Sequence, residues 1–434
     1  SPSKKGTKAL SMRALLIFLP AAAGFQARAP WVSGMRRATS LHSAVEEKAA
    51  IDPRLAATRA AQKELMAPIL ASTPAGSPKE TFVKNLNAFM EDYAESSYEA
   101  GYEKENFVEI IGSLLKNVAS NMKSPYTFEP FHRAIEAPYD YYRWAQSFFN
   151  TLIEWDKSPC EGAANLAKIN DMVAKGDNVI LLANHQTEGD PQVLTLMMEK
   201  LGYEDLAKKV VFVAGHRVTT DPLAIPFSMG CNLLCIFSKK YLDSPPELKA
   251  AKQQQNMDTM AALQGLLMKG GSVIWVAPSG GRDRPGDDGE FAISPFDAKS
   301  VELFRLVAAK AKAAAAKKDE TGNGALGTGP ETRVFPLAML TRKLVPPPPQ
   351  TGDRDMGEQR TAKRGNVALK FGPELTDAAA ASALEAKLGP EAKPSKDEKR
   401  GAFTALAEAS VADMFAELLE MEKALGAKGF GKQQ

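Results

Sequence analysis

The segment NHQTEGDP, Asn184 to Pro191, sets an imidazole, two carboxylates and a proline directly after the apolar run VILLA, Val179 to Ala183. Imidazole titrates near neutral pH, so a histidine whose other ring nitrogen is held by a carboxylate can take a proton from a hydroxyl. A strand terminus running into a polar turn is an exposed place to hold imidazole for packing alone. That favours chemistry at His185, with a carboxylate on the following turn available to orient the ring. Asp190 also has a purely structural reading, because aspartate at an N-cap with proline at the first helical position is a common helix start.

Two further clusters follow apolar runs. IFSKKYL closes on Lys239 and Lys240, and WVAPSGGRDRPG runs through Ser279, Gly280 and Gly281 into Arg282 and Arg284, which flank Asp283. Two arginines after a glycine turn can bring planar forks to one phosphate, a lysine adds a point charge, and glycines let backbone approach the ligand. A lone KK or RDR is ordinarily solvated surface. Two such groups, each just past an apolar strand of one sheet, weaken that reading.

Absences narrow the chemistry. No GxSxG elbow, GxxxxGK[ST] loop or GxGxxG after a strand occurs, so a serine hydrolase, a P-loop nucleotidase and a dinucleotide enzyme lose their main support. The four histidines (His42, His132, His185, His216) are scattered, with no HxxxH or CxxC, and a metal site is not expected. Cys160, Cys231 and Cys235 are too few and too unevenly spaced for a disulfide framework. With 54 Lys and Arg against 52 Asp and Glu, net charge is +2, which argues against nucleic acid as a partner and leaves any anion site to local clustering.

The elements that must position these groups are of two kinds. From Asp52 to Met122 apolar residues recur at three- and four-residue spacing, as in Phe82, Leu86, Phe89 and Tyr93 or Phe107, Ile110, Ile111, Leu114 and Leu115, which predicts a small helical bundle. After Ser124-Pro125, short apolar runs alternate with helical segments. Strands are expected at 178–184, 210–215, 232–238, 272–279, 333–340 and 366–372, and helices at 191–201 and 248–269. The fold class is therefore α/β, a mixed, mainly parallel sheet flanked by helices and preceded by the bundle. Ligands in such sheets gather beyond the carboxyl ends of strands, and four of the six runs hand over there to polar, Gly-rich or basic residues. The 434 residues, 44% hydrophobic, divide as a leader (1–45), a helical bundle (46–124) and an α/β catalytic domain (125–434). The stretches 311–331 and 345–365 read as surface loops, and no internal repeat is present.

The leader has its own anatomy. The chain opens on Ser1, and Met12 reads as a start, followed by one basic residue, a short apolar core and small residues, as in a signal peptide. The apolar run from Ala14 to Gly24 is far short of the roughly 20 residues of a membrane span. WVSGMRRATSLHSA then has transit-peptide composition. The whole resembles the two-part leader of algae whose plastids came from a secondary endosymbiosis.

Taken together, NHQTEGDP, AGHRVTTDPLAIPFSMGCNLLCIFSKKYL, WVAPSGGRDRP and LVPPPPQTGDRDMGE resemble the soluble plastid glycerol-3-phosphate acyltransferases of plants and algae. N-H-x4-D alone marks the wider glycerolipid acyltransferase superfamily, whereas PSGGRDRP and the polyproline loop are specific. The resemblance implies acyl transfer from an acyl-carrier-protein or coenzyme A thioester to glycerol 3-phosphate in the plastid stroma. His185 would be the general base and Asp190 its orienting partner, while Lys240, Arg282 and Arg284 would hold the phosphate. Glu188, Lys239, Tyr241 and Ser279 are secondary candidates. No cofactor, metal or transmembrane segment is implied, and any membrane contact would be peripheral. Three positions depart from the plant pattern: Tyr241 where histidine is usual, His216 within AGHR where AGDR is typical, and Cys231 in place of a basic residue. The alternatives are another lysophospholipid acyltransferase, which calls for long hydrophobic segments, and a non-catalytic acyl-carrier or lipid-binding protein, which would be expected to lose the histidine or the arginines.

Overall fold

The computed structural model describes residues 51–286, 289–319, 329–347, 359–389 and 393–428. The expected leader, the Gly-rich part of the 311–331 stretch and most of the polyproline loop lie outside the described residues. Three helices come first, α1 (Pro53–Ala71), α2 (Pro78–Glu99) and α3 (Lys104–Lys123). Asp52 starts α1 by accepting from the Arg54 N–H, with Pro53 at the first helical position, where its missing N–H costs nothing. The Phe107, Ile110, Ile111, Leu114 stripe of α3 is buried, as its spacing predicts.

The remainder alternates. In chain order come β1 (Phe131–His132), α4 (Tyr141–Leu152), β2 (Cys160–Glu161), α5 (Ala163–Ala174), β3 (Asn178–Ala183), α6 (Asp190–Lys200), α7 (Glu204–Ala207) and β4 (Val210–Gly215). Then follow α8 (Ile225–Met229), β5 (Asn232–Ile236), α9 (Lys239–Leu242), α10 (Lys249–Lys269), β6 (Val273–Val276) and α11 (Ala298–Asp319). The last elements are β7 (Thr332–Leu340), β8 (Ala368–Phe371), α12 (Asp377–Leu388) and α13 (Lys396–Lys428). Each of the six expected strands forms. The two-residue edge strands β1 and β2 carry too little pattern to be read from sequence.

The sheet runs β1-β5-β4-β6-β3-β7-β8-β2. β1 is antiparallel to β5 and β7 to β8, and the other pairings are parallel, the mixed, mainly parallel sheet expected. β3 is central, pairing with β6 on one side and β7 on the other. Its side chains alternate between two cores: Val179, Leu181 and Ala183 join the cluster shared with α1 to α6, while Ile180 and Leu182 join the one under α10 to α13. Burial on both faces is why the run is continuously apolar. Because β5, β4, β6, β3 and β7 are mutually parallel, the loops after them emerge at one edge. Those loops carry His185, His216, Lys239, Arg282 and Thr341.

The N-terminal helices lie against the first core through α4. The Phe148 ring stacks on Tyr93 of α2, centroids 4.3 Å apart, and contacts Phe89, Phe149 and Phe227. Trp144 donates its indole N–H to the Ile110 carbonyl of α3 at 3.1 Å. Arg364 and Lys370, basic in sequence, are engaged internally, Arg364 with the Thr151 and Ile153 carbonyls and Lys370 with Glu417.

Phe148→Ala should destabilise the chain by about 3–5 kcal/mol, the usual loss for a buried phenylalanine. Thermal melts should show the transition shifted as a whole. A second transition left at the wild-type temperature would show that α1 to α3 melt independently of the sheet.

Candidate active site

The turn from Asn184 to Asp190 is built around one carboxylate. Asp190 Oδ2 lies 2.7 Å from His185 Nδ1 and accepts the Gln186 N–H at 2.8 Å, while Oδ1 accepts the Thr187 N–H and the Thr341 hydroxyl. Asp190 has no exposed side-chain surface, whereas the His185 side chain keeps 24% of its surface in contact with solvent. An ionised carboxylate can only accept, so Nδ1 carries the proton of the neutral ring, leaving the Nε2 lone pair as the basic position. The Trp275 indole stands edge-on to the imidazole, centroids 5.7 Å apart at 81°.

One helix-start expectation is corrected here. Gly189, not Asp190, takes the cap position of α6; Asp190 is the first helical residue and Pro191 the second. The Asp190 carboxylate turns back onto the N–H groups of the preceding loop, because the buried imidazole edge and Thr341 compete for it more strongly than a helix end open to other partners. Gly189 is required sterically. A Cβ there would fall 2.1 Å from the Phe149 ring of α4.

Asn184 ties the turn to its neighbours on either side. Its amide exchanges two hydrogen bonds with the Met339 backbone of β7 and donates to Asp283 at 2.8 Å, and the Asp283 N–H in turn donates to the His185 carbonyl. Burial pushes the Asp283 carboxyl up, against the opposing pull of donors from Asn184 and Ser294. Gln186 accepts the Thr341 N–H at 2.9 Å.

Glu188, in the middle of the turn, faces arginines. Arg360 donates from Nε at 2.8 Å and from Nη2 at 3.2 Å, and Arg282 Nη1 lies 3.4 Å from Oε1. Arg360 Nη2 also reaches Asp221, in the loop after β4, at 2.9 Å. Burial alone would raise the Glu188 carboxyl, but Arg360, Arg282 and Arg217 outweigh it and hold it at about 2. The Arg360 guanidinium is held well above its ordinary value by the same two carboxylates, against the cost of burial.

Of the residues singled out in sequence, His185, Asp190, Glu188 and Arg282 come together directly. Arg284 follows in the same loop, half-buried, and Ser279 bonds to the Gly281 carbonyl at 3.1 Å, bracing that turn. The side chains of Lys239 and Lys240 lie outside those described; their backbone opens α9, just past β5. Tyr241 packs edge-on against His216, centroids 4.4 Å apart, and Phe237 stacks on the other side. Burial, then Lys252 and Arg217, lowers the His216 pKa. Cys231 faces away from this edge, lining a cavity of about 190 Å³ with Gln146, Gln192, Thr195 and Tyr142. Burial pushes the Cys160, Cys231 and Cys235 thiols up to about 12. Thr341, Asp221 and Arg360 were not singled out from sequence, since isolated residues in polar loops carry no pattern. Among the described residues no group of three or more His, Cys, Asp or Glu side chains converges as a metal site requires, and no helix is long and apolar enough to cross a membrane.

Comparison with known proteins gives a consistent set of relatives. A family model described as Acyltransferase matches residues 163–314, the stretch containing β3 to β6 and the turn from Asn184 to Asp190. The chain is similar to proteins named glycerol-3-phosphate acyltransferase, chloroplastic: that of Pisum sativum at 30% identity, over 75% of this chain and 67% of the relative, and that of Arabidopsis thaliana at 32%, over 72% and 65%. The Spinacia oleracea protein of the same name is 36% identical over 60% of this chain and 52% of its own length. The chain thus spans about 65% of the Arabidopsis relative.

Glu188 titrates in the fold at about 2 against an ordinary 4.5. Its folded pKa is depressed, so its contribution to stability is complete above about pH 4.5 and is lost as pH falls towards about 2. Denaturant melts of wild type and Glu188→Gln across that window should show the wild-type advantage shrinking as acid is added. A gap between the two proteins that does not change with pH would contradict the ion-pair geometry.

Proposed function

Because the chain belongs to the chloroplastic glycerol-3-phosphate acyltransferase family, we propose that it transfers a fatty acyl group to the sn-1 hydroxyl of glycerol 3-phosphate. The donor is a thioester of acyl-carrier protein or coenzyme A, and the product is lysophosphatidate, the start of plastid glycerolipid synthesis. The observation that carries the reading is that the turn after β3 carries a carboxylate-oriented histidine and, through Glu188, engages Arg282 of the loop after β6, an arginine able to bind phosphate.

The chemistry follows from that pairing. His185 Nε2 takes the hydroxyl proton as the oxygen attacks the thioester carbonyl carbon. The tetrahedral intermediate then collapses, the carbon–sulfur bond breaks, and the imidazolium returns its proton to the departing thiolate. Asp190 keeps Nδ1 protonated and stabilises the positive charge that develops on the ring. Arg282, Arg284 and Lys240 hold the phosphate, which fixes the hydroxyl over His185 and turns an encounter of two substrates into a reaction within one complex. The poorly ionised thiols of half-buried Cys160 and buried Cys231 and Cys235 support direct transfer over an acyl-cysteine route. No cofactor or metal enters the scheme.

The same reading assigns the protein to the chloroplast stroma behind a two-part leader. The names of its relatives, all chloroplastic, and the composition of residues 12–45 support it.

Purified protein should acylate glycerol 3-phosphate from acyl-carrier-protein thioesters, and His185→Ala should lower kcat by about 10²–10⁴-fold with an unchanged circular dichroism spectrum. Wild-type turnover in that variant would remove His185 from the mechanism. A fusion of residues 12–50 to a fluorescent protein should reach the plastid of a cell with a secondary plastid; diffuse cytosolic fluorescence would refute import.

A further inference from the structure

Glu188 poses an electrostatic problem. A carboxylate 3.4 Å from Arg282 cancels much of the charge that a phosphate would need from that arginine. Glu188 nevertheless sits inside the turn that carries the base, where it engages the guanidinium. The arrangement works only if another cation neutralises Glu188 first.

Arg360 fits that requirement. It is 6% exposed, engages Glu188 through two nitrogens, and reaches Asp221 through Nη2. Asp221 is itself fixed, since its other oxygen accepts the Leu223 N–H at 2.9 Å. One buried guanidinium thereby joins the loop after β3 to the loop after β4, from a segment that follows β7. A buried cation tied to two carboxylates is costly to desolvate, and the planar fork lets it satisfy both where an ammonium would satisfy one.

Resting on the acyltransferase reading above, we propose that Arg360 is a positioning residue for the phosphate subsite: it neutralises Glu188, so that Glu188 can hold Arg282 in place while Arg282 keeps its charge for the phosphate. Arg360 acts through Glu188 and Arg282 and makes no contact with substrate. Loss of Arg360 leaves Glu188 to Arg282 and Arg217 and adds negative charge beside the phosphate. Removing the Glu188 charge at the same time relieves that defect.

Steady-state kinetics on the full chain separate this role from a general structural one. Arg360→Met should raise the KM for glycerol 3-phosphate about tenfold or more while the acyl-donor KM stays within about twofold. The double variant Glu188→Gln/Arg360→Met should return the glycerol 3-phosphate KM most of the way towards wild type. Damage to packing alone predicts the opposite, a double variant as poor as or worse than the single. Arg360→Lys, which keeps the charge but loses the fork, should show a smaller rise in the same KM, and it carries the test if Arg360→Met does not fold. Equal changes in both KM values, or no rescue in the double variant, would overturn the proposal. Absence of acylation by wild type would instead overturn the function proposed above. In that case calorimetric titration with glycerol 3-phosphate decides the positioning role on its own, wild type being expected to bind more tightly than Arg360→Lys, and equal affinities overturning it.

Discussion

A carboxylate with no exposed surface must be surrounded by donors, and the Asp190 carboxylate organises this edge of the sheet for that reason. Its two oxygens draw in the His185 ring, two backbone N–H groups of the preceding loop and a hydroxyl from β7's end. The loop can curl back far enough only because residue 189 lacks a Cβ, and the space a Cβ would need is taken by Phe149. Phe149 is in turn packed against Phe148 and Phe227. Core packing between α4 and α8 thus reaches the imidazole through a single glycine, so damage well below the surface is felt at His185.

A second layer keeps the strand ends in register. Asn184 continues the β3 to β7 pairing past the end of the sheet with its side chain standing in for backbone, and its amide also holds Asp283. The Asp283 N–H returns to the His185 carbonyl. Residue 283 lies between Arg282 and Arg284, so the backbone that carries the two arginines is bonded to the backbone that carries His185. The separation of the two loops is consequently set by short, buried hydrogen bonds rather than by long side chains.

The charged groups at this edge show a compromise between order and affinity. Arginines presented to solvent would be mobile, and holding one with a carboxylate restrains it at the expense of positive potential. A further buried arginine, Arg360, leaves Glu188 facing more than one guanidinium, and these together hold its carboxyl low against the effect of burial. His216 is hard to protonate first because it is partly buried, with Lys252 and Arg217 adding to the effect.

Much of this was legible in sequence where the signal was periodic or local. The continuous apolar run of β3, the three- and four-residue stripes of α2 and α3, and the spacing of His185 from Asp190 follow from which side chains must be buried and how far apart a turn can hold two groups. The glycine turn before Arg282 was legible for the same reason. The helix-cap role that Asp190 also offered is not the one it takes, because local chemistry names the groups that can bond and leaves open which partners will compete for them. Thr341, Asp221 and Arg360 come from loops remote in sequence, and only the parallel order β4-β6-β3-β7 brings those loops to one edge. The sequence by itself determined the strands, the helices and the pairing of His185 with Asp190, since these depend on burial pattern and short spacing. The tertiary structure alone decided which distant residues surround Glu188, because a charge in a buried loop carries no periodicity and acquires its partner only when the sheet sets its strand order.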